Sequence, residues 1–145
     1  MTRGSRGPFT AALVVSTVTA LTACTGGSGH AGHASITVDG VTATLSAVSC
    51  AEDGGSAQIS AHEGDWTLSL RSGAAVTLLV VGHKSGAGVV TYQASADAAH
   101  PDGAPPTKIT VSRDGRAYTG TAAVSRSGAA GTVDARFNIV CPAGD

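Results

Sequence analysis

From residue 35 onward, apolar and polar residues alternate in short runs and do not recur every three or four positions. Ser35 to Val38, Val41 to Cys50, Ala57 to Ala61, Trp66 to Arg71, Val76 to Gly82, Val89 to Ala96, Lys108 to Arg113, Arg116 to Val124 and Thr132 to Cys141 are rich in Val, Thr and Ile. Branching at Cβ suits a pleated backbone, and Gly, Pro and Asp-Gly punctuation separates the runs. No window of ten or more residues in this region keeps a 3.6-residue apolar stripe. Ala94 to Ala99 could form one helical turn, but Pro101 follows closely. The pattern predicts an all-β fold, an antiparallel sandwich or a curled sheet.

Two segments predict their faces in detail. In KITVSRDGRAYTGTAAV, a two-residue type I′ turn at Asp114-Gly115 pairs Arg113 with Arg116, Val111 with Tyr118 and Ile109 with Gly120. Ile109, Val111 and Tyr118 then share one face, and Gly120 leaves room over Ile109. The facing arginines are tolerable beside a solvated turn. In the last strand Val133, Ala135, Phe137, Ile139 and Cys141 point one way, with Asp134, Arg136 and Asn138 opposite. Trp66, Leu68 and Leu70 fall on one strand face and read as core. Near Cys50 the phase is broken, since Leu45 and Ala47 oppose Val48 and Cys50, and a bulge is expected there.

The first two dozen residues follow another pattern. Arg3 and Arg6 precede an apolar run from Phe9 to Leu21. About 13 residues make a helix of about 20 Å, too short for a hydrocarbon layer of about 30 Å. A positive start, a short apolar middle and a small-residue end predict a secretory signal peptide, residues 1–23. The run ends Leu21-Thr22-Ala23-Cys24, which resembles the bacterial lipobox. In that class of signal a diacylglycerol is attached to the cysteine thiol, the chain is cut just before it, and the new amino terminus is commonly acylated. Leu21, Thr22 and Ala23 are the expected peptidase recognition residues, and Cys24 the lipidation site. Thr25 to Ala34 is Gly, Ser, Ala and His with nothing to bury, which predicts a tether over 24–34 with a reach of about 17 Å. Residues 35–145 are the domain.

Composition sharpens this picture. The chain has three cysteines, and lipidation of Cys24 would leave Cys50 and Cys141 as a pair. A disulfide is then the default in an oxidising compartment. Closing a loop of about 90 residues contributes ~4.6 kcal/mol in the chain-entropy picture. Three thiols on a metal is the alternative, without any C-x-x-C spacing to favour it. Aromatics are 3 % of the chain, and Trp66, Tyr92, Tyr118 and Phe137 are left to anchor a core. Such a core invites a covalent staple. Removal of residues 1–23 leaves seven basic against ten acidic residues, a net charge of −3. There is no basic footprint for nucleic acid, and charge cannot hold the mature chain on an anionic surface.

The lipobox, the polar tether, SITVDGVTATLSAVSC, KITVSRDGRAYTGTA and the closing RFNIVC occur in an order similar to that in the mycobacterial nineteen-kilodalton lipoprotein antigen family. The resemblance covers nearly the whole chain. It implies an envelope lipoprotein acylated at Cys24, with a Cys50–Cys141 disulfide, on the extracytoplasmic face of the cell membrane. It also implies antigens whose acyl chains are sensed by host innate immune receptors of the Toll-like type, and no enzymatic activity. Relatives carry a longer Ser/Thr-rich linker that can be glycosylated; this tether offers Thr25, Ser28 and Ser35.

Candidate chemistry is sparse. His30 and His33 give H-x-x-H in the tether without a third ligand, and no metal site is expected. His62-Glu63 and Asp97 with His100 are neighbours that could supply acid–base pairs, both at loop edges. GHKSGAG (Gly82 to Gly88) lacks phosphate-loop spacing and reads as a hairpin connection. There is no G-x-S-x-G. No catalytic residue is expected, and no cofactor beyond the covalent diacylglycerol and N-acyl chain on Cys24. Three readings follow: a lipid-anchored, non-enzymatic display domain; a small carrier with a lipid or glycolipid groove lined by Trp66, Leu78 and Val80; and a hydrolase requiring His62, His83 or His100 to meet an acid beside a nucleophile.

Overall fold

The computed structural model describes residues 31–97 and 108–144. Ten strands account for the fold: β1 (His33–Val38), β2 (Val41–Leu45), β3 (Ala47–Asp53), β4 (Ser56–Glu63), β5 (Trp66–Ser72), β6 (Val76–Ser85), β7 (Gly88–Asp97), β8 (Ile109–Asp114), β9 (Ala117–Arg126) and β10 (Thr132–Val140). Every pairing is antiparallel, in the order β2-β1-β10-β9-β7-β6-β5-β4-β3, with β8 also on β9. The all-β antiparallel fold expected from the alternation is therefore what the chain forms.

The sheet folds onto itself in two arms. One holds β2, β1, β10, β9 and β8, the other β7 to β3. They join at two residue pairs, Tyr92 with Arg126 and Gln93 with Ser125. The Ser127 amide donates to the Thr91 carbonyl at 2.8 Å beside them. At the diagonally opposite corner the chain itself crosses between arms, through Ser46. Between the arms lie Ile36, Val38, Leu45, Ile59, Leu68, Leu70, Leu79, Val81, Val124 and Ile139, each at most 2 % exposed, and no polar side chain is buried among the described residues. Tyr92, Tyr118 and Phe137 are buried there too, and Trp66 packs against them half-buried.

The structure departs from the sequence reading at several points. Val41 to Cys50 is not one bulged strand: it breaks at Ser46, with β2 pairing to β1 and β3 to β4. The phase change marks a chain leaving one arm for the other. The hairpin register is shifted by two residues, so that Asp114 pairs with Ala117, Arg113 with Tyr118 and Val111 with Gly120. Its central residues are Gly115 and Arg116, and the positive φ is at Gly115 alone (56°), as in a type II′ turn. Because a two-residue shift preserves the alternation, Ile109, Val111 and Tyr118 still share a face. The shift also separates Arg113 from Arg116, removing a like-charge pair. Gly120 makes room for Phe137, its partner on β10, and not for Ile109. Leu78 and Val80 lie on the face opposite Trp66, since Leu79 and Val81 take the inward positions of β6. Finally, His33 and Ala34 belong to β1, paired with Val140 and Ile139, so the folded domain begins before residue 35.

Candidate functional site

Strand β3 pairs along β4 and meets the ends of β8, β9 and β10, and the cross-links along it define one end of the domain. Ser46 follows directly on β2; Cys50 is bonded to Cys141, one residue past β10; Glu52 reaches Tyr118 on β9 and Arg113 on β8. The Cys50–Cys141 disulfide has a Cα–Cα distance of 5.8 Å. It lies where the phase of β10 directs it, with Cys141 buried on the inner face.

Two carboxylates clamp β3 on either side of this bridge. Glu63 accepts from the Ser46 amide at 3.3 Å and from the Ser46 hydroxyl. These bonds hold the Glu63 carboxyl below its ordinary range. Glu52 Oε1 accepts from the Tyr118 hydroxyl at 2.7 Å and from Arg113 Nη2 at 2.8 Å. The Tyr118 bond first, and then the Arg113 charge, lower the Glu52 pKa, whereas burial and the bond to Glu52 raise that of Tyr118. The Arg113 guanidinium also sits 5.4 Å from the Tyr118 ring centroid, and its Nε donates to the Gly115 carbonyl at 2.9 Å. Arg116 completes the cluster: its carbonyl accepts from the Cys141 amide and its guanidinium donates to the Cys141 carbonyl, each at 2.9 Å.

The N-terminal segment joins the domain at this same end. His33 pairs with Val140, the residue before Cys141, and Gly32 packs so closely on Pro142 that a Cβ there would lie 2.8 Å from the proline Cδ. Cys24 and its neighbours Leu21, Thr22 and Ala23 lie outside the described residues, as do His30 and His100. The bridge is thus the one sequence-predicted site that the structure brings together, at the end that receives the chain from Cys24. The contacts of Glu63 with Ser46, and of Glu52 with Arg113 and Tyr118, are not readable in the sequence, because each clamp joins residues distant along the chain. The broken phase between Leu45 and Val48 was the available signal.

Among the described residues, the remaining candidates are engaged in structural contacts. Glu63, the neighbour of His62, accepts from Ser46, with the His62 charge a lesser influence on its carboxyl, and Glu52 is engaged by Tyr118 and Arg113. His83 stacks on Trp66, with ring centroids 4.1 Å apart and planes 14° from parallel. Among the described residues no group of three His, Cys, Asp or Glu side chains gathers around a common point. A cleft of about 510 Å³ is an open depression on the outer face of β4, β5 and β6, lined by Ser60, His62, Thr67, Ser69 and Val80. Trp66 is on the other side of the sheet from it, so the groove expected of Trp66, Leu78 and Val80 is not formed.

Residues 27–141 match the family described as Mycobacterium 19 kDa lipoprotein antigen. No curated protein matches the chain.

Proposed function

Since a match over residues 27–141 covers most of the chain, the protein belongs to the mycobacterial 19 kDa lipoprotein antigen family, and from that premise we propose that it is an envelope lipoprotein held by acyl chains on Cys24. The observation that carries this reading is the pairing of the cysteines. Cys50 and Cys141 consume each other in the domain, so Cys24 is the one thiol left, and it follows Leu21-Thr22-Ala23. A thiol is the strongest nucleophile the side chains offer for alkylation, and small residues let an extended segment enter a peptidase site. One acyl chain holds a protein marginally, whereas two or three anchor it stably at ~0.8 kcal/mol per buried methylene.

In this reading the chain is cut before Cys24, the thiol carries a diacylglycerol, and the new amino terminus carries a further acyl chain. The anchored protein resides on the extracytoplasmic face of the cell membrane. The bilayer is its first partner, and a host innate immune receptor of the Toll-like type its second, through the acyl chains. The domain is a non-enzymatic scaffold for display, in keeping with an antigen family and with carboxylates spent on structural clamps. The groove that a carrier would need from Trp66, Leu78 and Val80 is not formed, because Leu78 and Val80 lie on the face opposite Trp66.

Mass spectrometry of the mature protein tests the proposal. The expected species begins at Cys24 and carries a diacylglyceryl group and an amide-linked acyl chain. A mature protein with an unmodified Cys24 thiol, or one beginning elsewhere, overturns it.

A further inference from the structure

The first arm of the sheet ends on β2, and this edge is unlike the other two. Strand β3 (AVSCAED) ends in Glu52 and Asp53, and β8 (ITVSRD) in Arg113 and Asp114. Charges of this kind are how free edges are normally kept from pairing with other strands. Strand β2 reads VTATL, with no charge, no proline and no bulge. Its ends are also held. Asp39 and Gly40 form the β1–β2 turn with φ values of 51° and 76°, the type I′ pattern that matches strand twist. Leu45 is fully buried, Ser46 is gripped by Glu63, and Thr42 bonds to Thr37 at 2.8 Å.

The register shows what this edge offers. With Val38 opposite Val41 across a two-residue turn, the amides and carbonyls of Val41, Ala43 and Leu45 bond to β1. Those of Thr42 and Thr44 therefore point away from the sheet. Val41, on the inward-facing side of the strand, is 52 % exposed, and with Val89 it makes up the large hydrophobics left exposed among the described residues.

We propose that the β2 edge is a self-association surface, on which β2 of a second copy of this chain adds antiparallel to continue the sheet. A two-fold axis at Ala43 uses all five residues of the strand. Thr42 then exchanges both backbone hydrogen bonds with Thr44 of the copy, and Thr44 with its Thr42, giving two facing threonine pairs. Val41 falls opposite Leu45 of the copy, and its exposed side chain is covered by the added strand. Ala43 meets Ala43 across the axis in a pair without mutual backbone bonds. A neutral edge brings no like charges together in this arrangement. A strand already rigid loses little entropy on docking. The inference is independent of lipidation at Cys24.

Cysteine cross-linking in the full chain tests it. Alanine pairs of this kind bring Cα atoms within disulfide range. Ala43→Cys is expected to give a reductant-sensitive dimer for most of the protein, and Thr121→Cys, in the middle of the same arm, is expected not to. Adding Thr44→Pro removes an outward amide that the fold does not use, so melting should hold while the cross-link is lost. Sedimentation of the full chain should show a dimer that Thr44→Pro converts to a monomer. Three results overturn the proposal: a folded Ala43→Cys protein that stays monomeric or cross-links to a different protein; equal cross-linking at Thr121→Cys; or a folded Thr44→Pro variant whose yield is unchanged. Should Thr44→Pro fail to fold, Val41→Lys replaces it, and the same loss of cross-link is required.

Discussion

Gly120 offers a test of how the small-residue core is packed. It lies on β9 between Val111 of β8 and Phe137 of β10. A Cβ at this position would lie 2.2 Å from the Thr110 carbonyl oxygen and 2.3 Å from Cζ of the Phe137 ring. Neither neighbour can yield cheaply. The oxygen belongs to the β8 backbone, and the ring is 4 % exposed within the core. In an ordinary strand, Gly→Ala stabilises by roughly 0.5–1 kcal/mol, because glycine loses the most backbone freedom on folding. Here overpacking of about 1–3 kcal/mol opposes that gain and outweighs it. We expect Gly120→Ala to destabilise by roughly 1–2 kcal/mol, a drop in Tm of about 5–15 °C at 4–8 °C per kcal/mol for a domain of this size. Thermal unfolding followed by circular dichroism measures it. A double-mutant cycle isolates the cause: Phe137→Leu costs stability alone, but should lose less in the Gly120→Ala background, where the ring is already displaced. Gly82→Ala is the matched control. Its nearest contact, at 2.5 Å, is the Thr67 hydroxyl, which can rotate away. A Gly120→Ala protein that melts at or above the parent, or additivity with Phe137→Leu, would refute the packing argument.

Three further outcomes are expected. Cys50→Ser should lower Tm markedly, because the bridge closes a loop of 91 residues, worth ~4.6 kcal/mol in the chain-entropy picture; identical melting of the parent with and without reductant contradicts this. Stability should fall on acidification: the Glu52 and Glu63 carboxyls are held below their ordinary pKa of 4.5 in the fold, so their contribution is present above that value and lost as pH drops through the folded pKa. A combined Glu52→Gln and Glu63→Gln variant should show a flatter decline below pH 5 in acid titrations of unfolding, and a superimposable acid limb would exclude the clamps as its origin. Cys24→Ala should leave an uncut precursor and release none of the acylated form; membrane fractionation with normal processing counts against the anchor.

The parts of the site differ in how readable they were. The Cys50–Cys141 bridge was legible because cysteine count and the phase of β10 are both linear properties. Its clamps were not, because Glu52 and Tyr118 are 66 positions apart and nothing in the local pattern of either residue names the other. The hairpin shows the same limit at short range. Asp-Gly announced a turn at the right place, but a turn at Gly115-Arg116 and one at Asp114-Gly115 leave the same side chains on the same face. Pairing Arg113 with Tyr118 and Glu52 separated the two arginines, an advantage invisible until β3 arrives.

Alternation along the chain was enough for the class of fold, the inward residues and most strand limits, since burial of every second side chain is a property of each strand alone. The three cysteines and the segment before Cys24 were likewise enough to suggest an anchored, bridged domain. Which strands become neighbours depended on the folded chain. β2 and β3 look like one strand in the linear pattern, yet they end opposite arms of the sheet, because Ser46 crosses between layers and Glu63 holds it there. That crossing sets β3 against the ends of β8, β9 and β10 and the disulfide beside the N-terminal segment, and it leaves β2 as a neutral edge. Contacts between residues tens of positions apart carry no local period, so these features followed from packing.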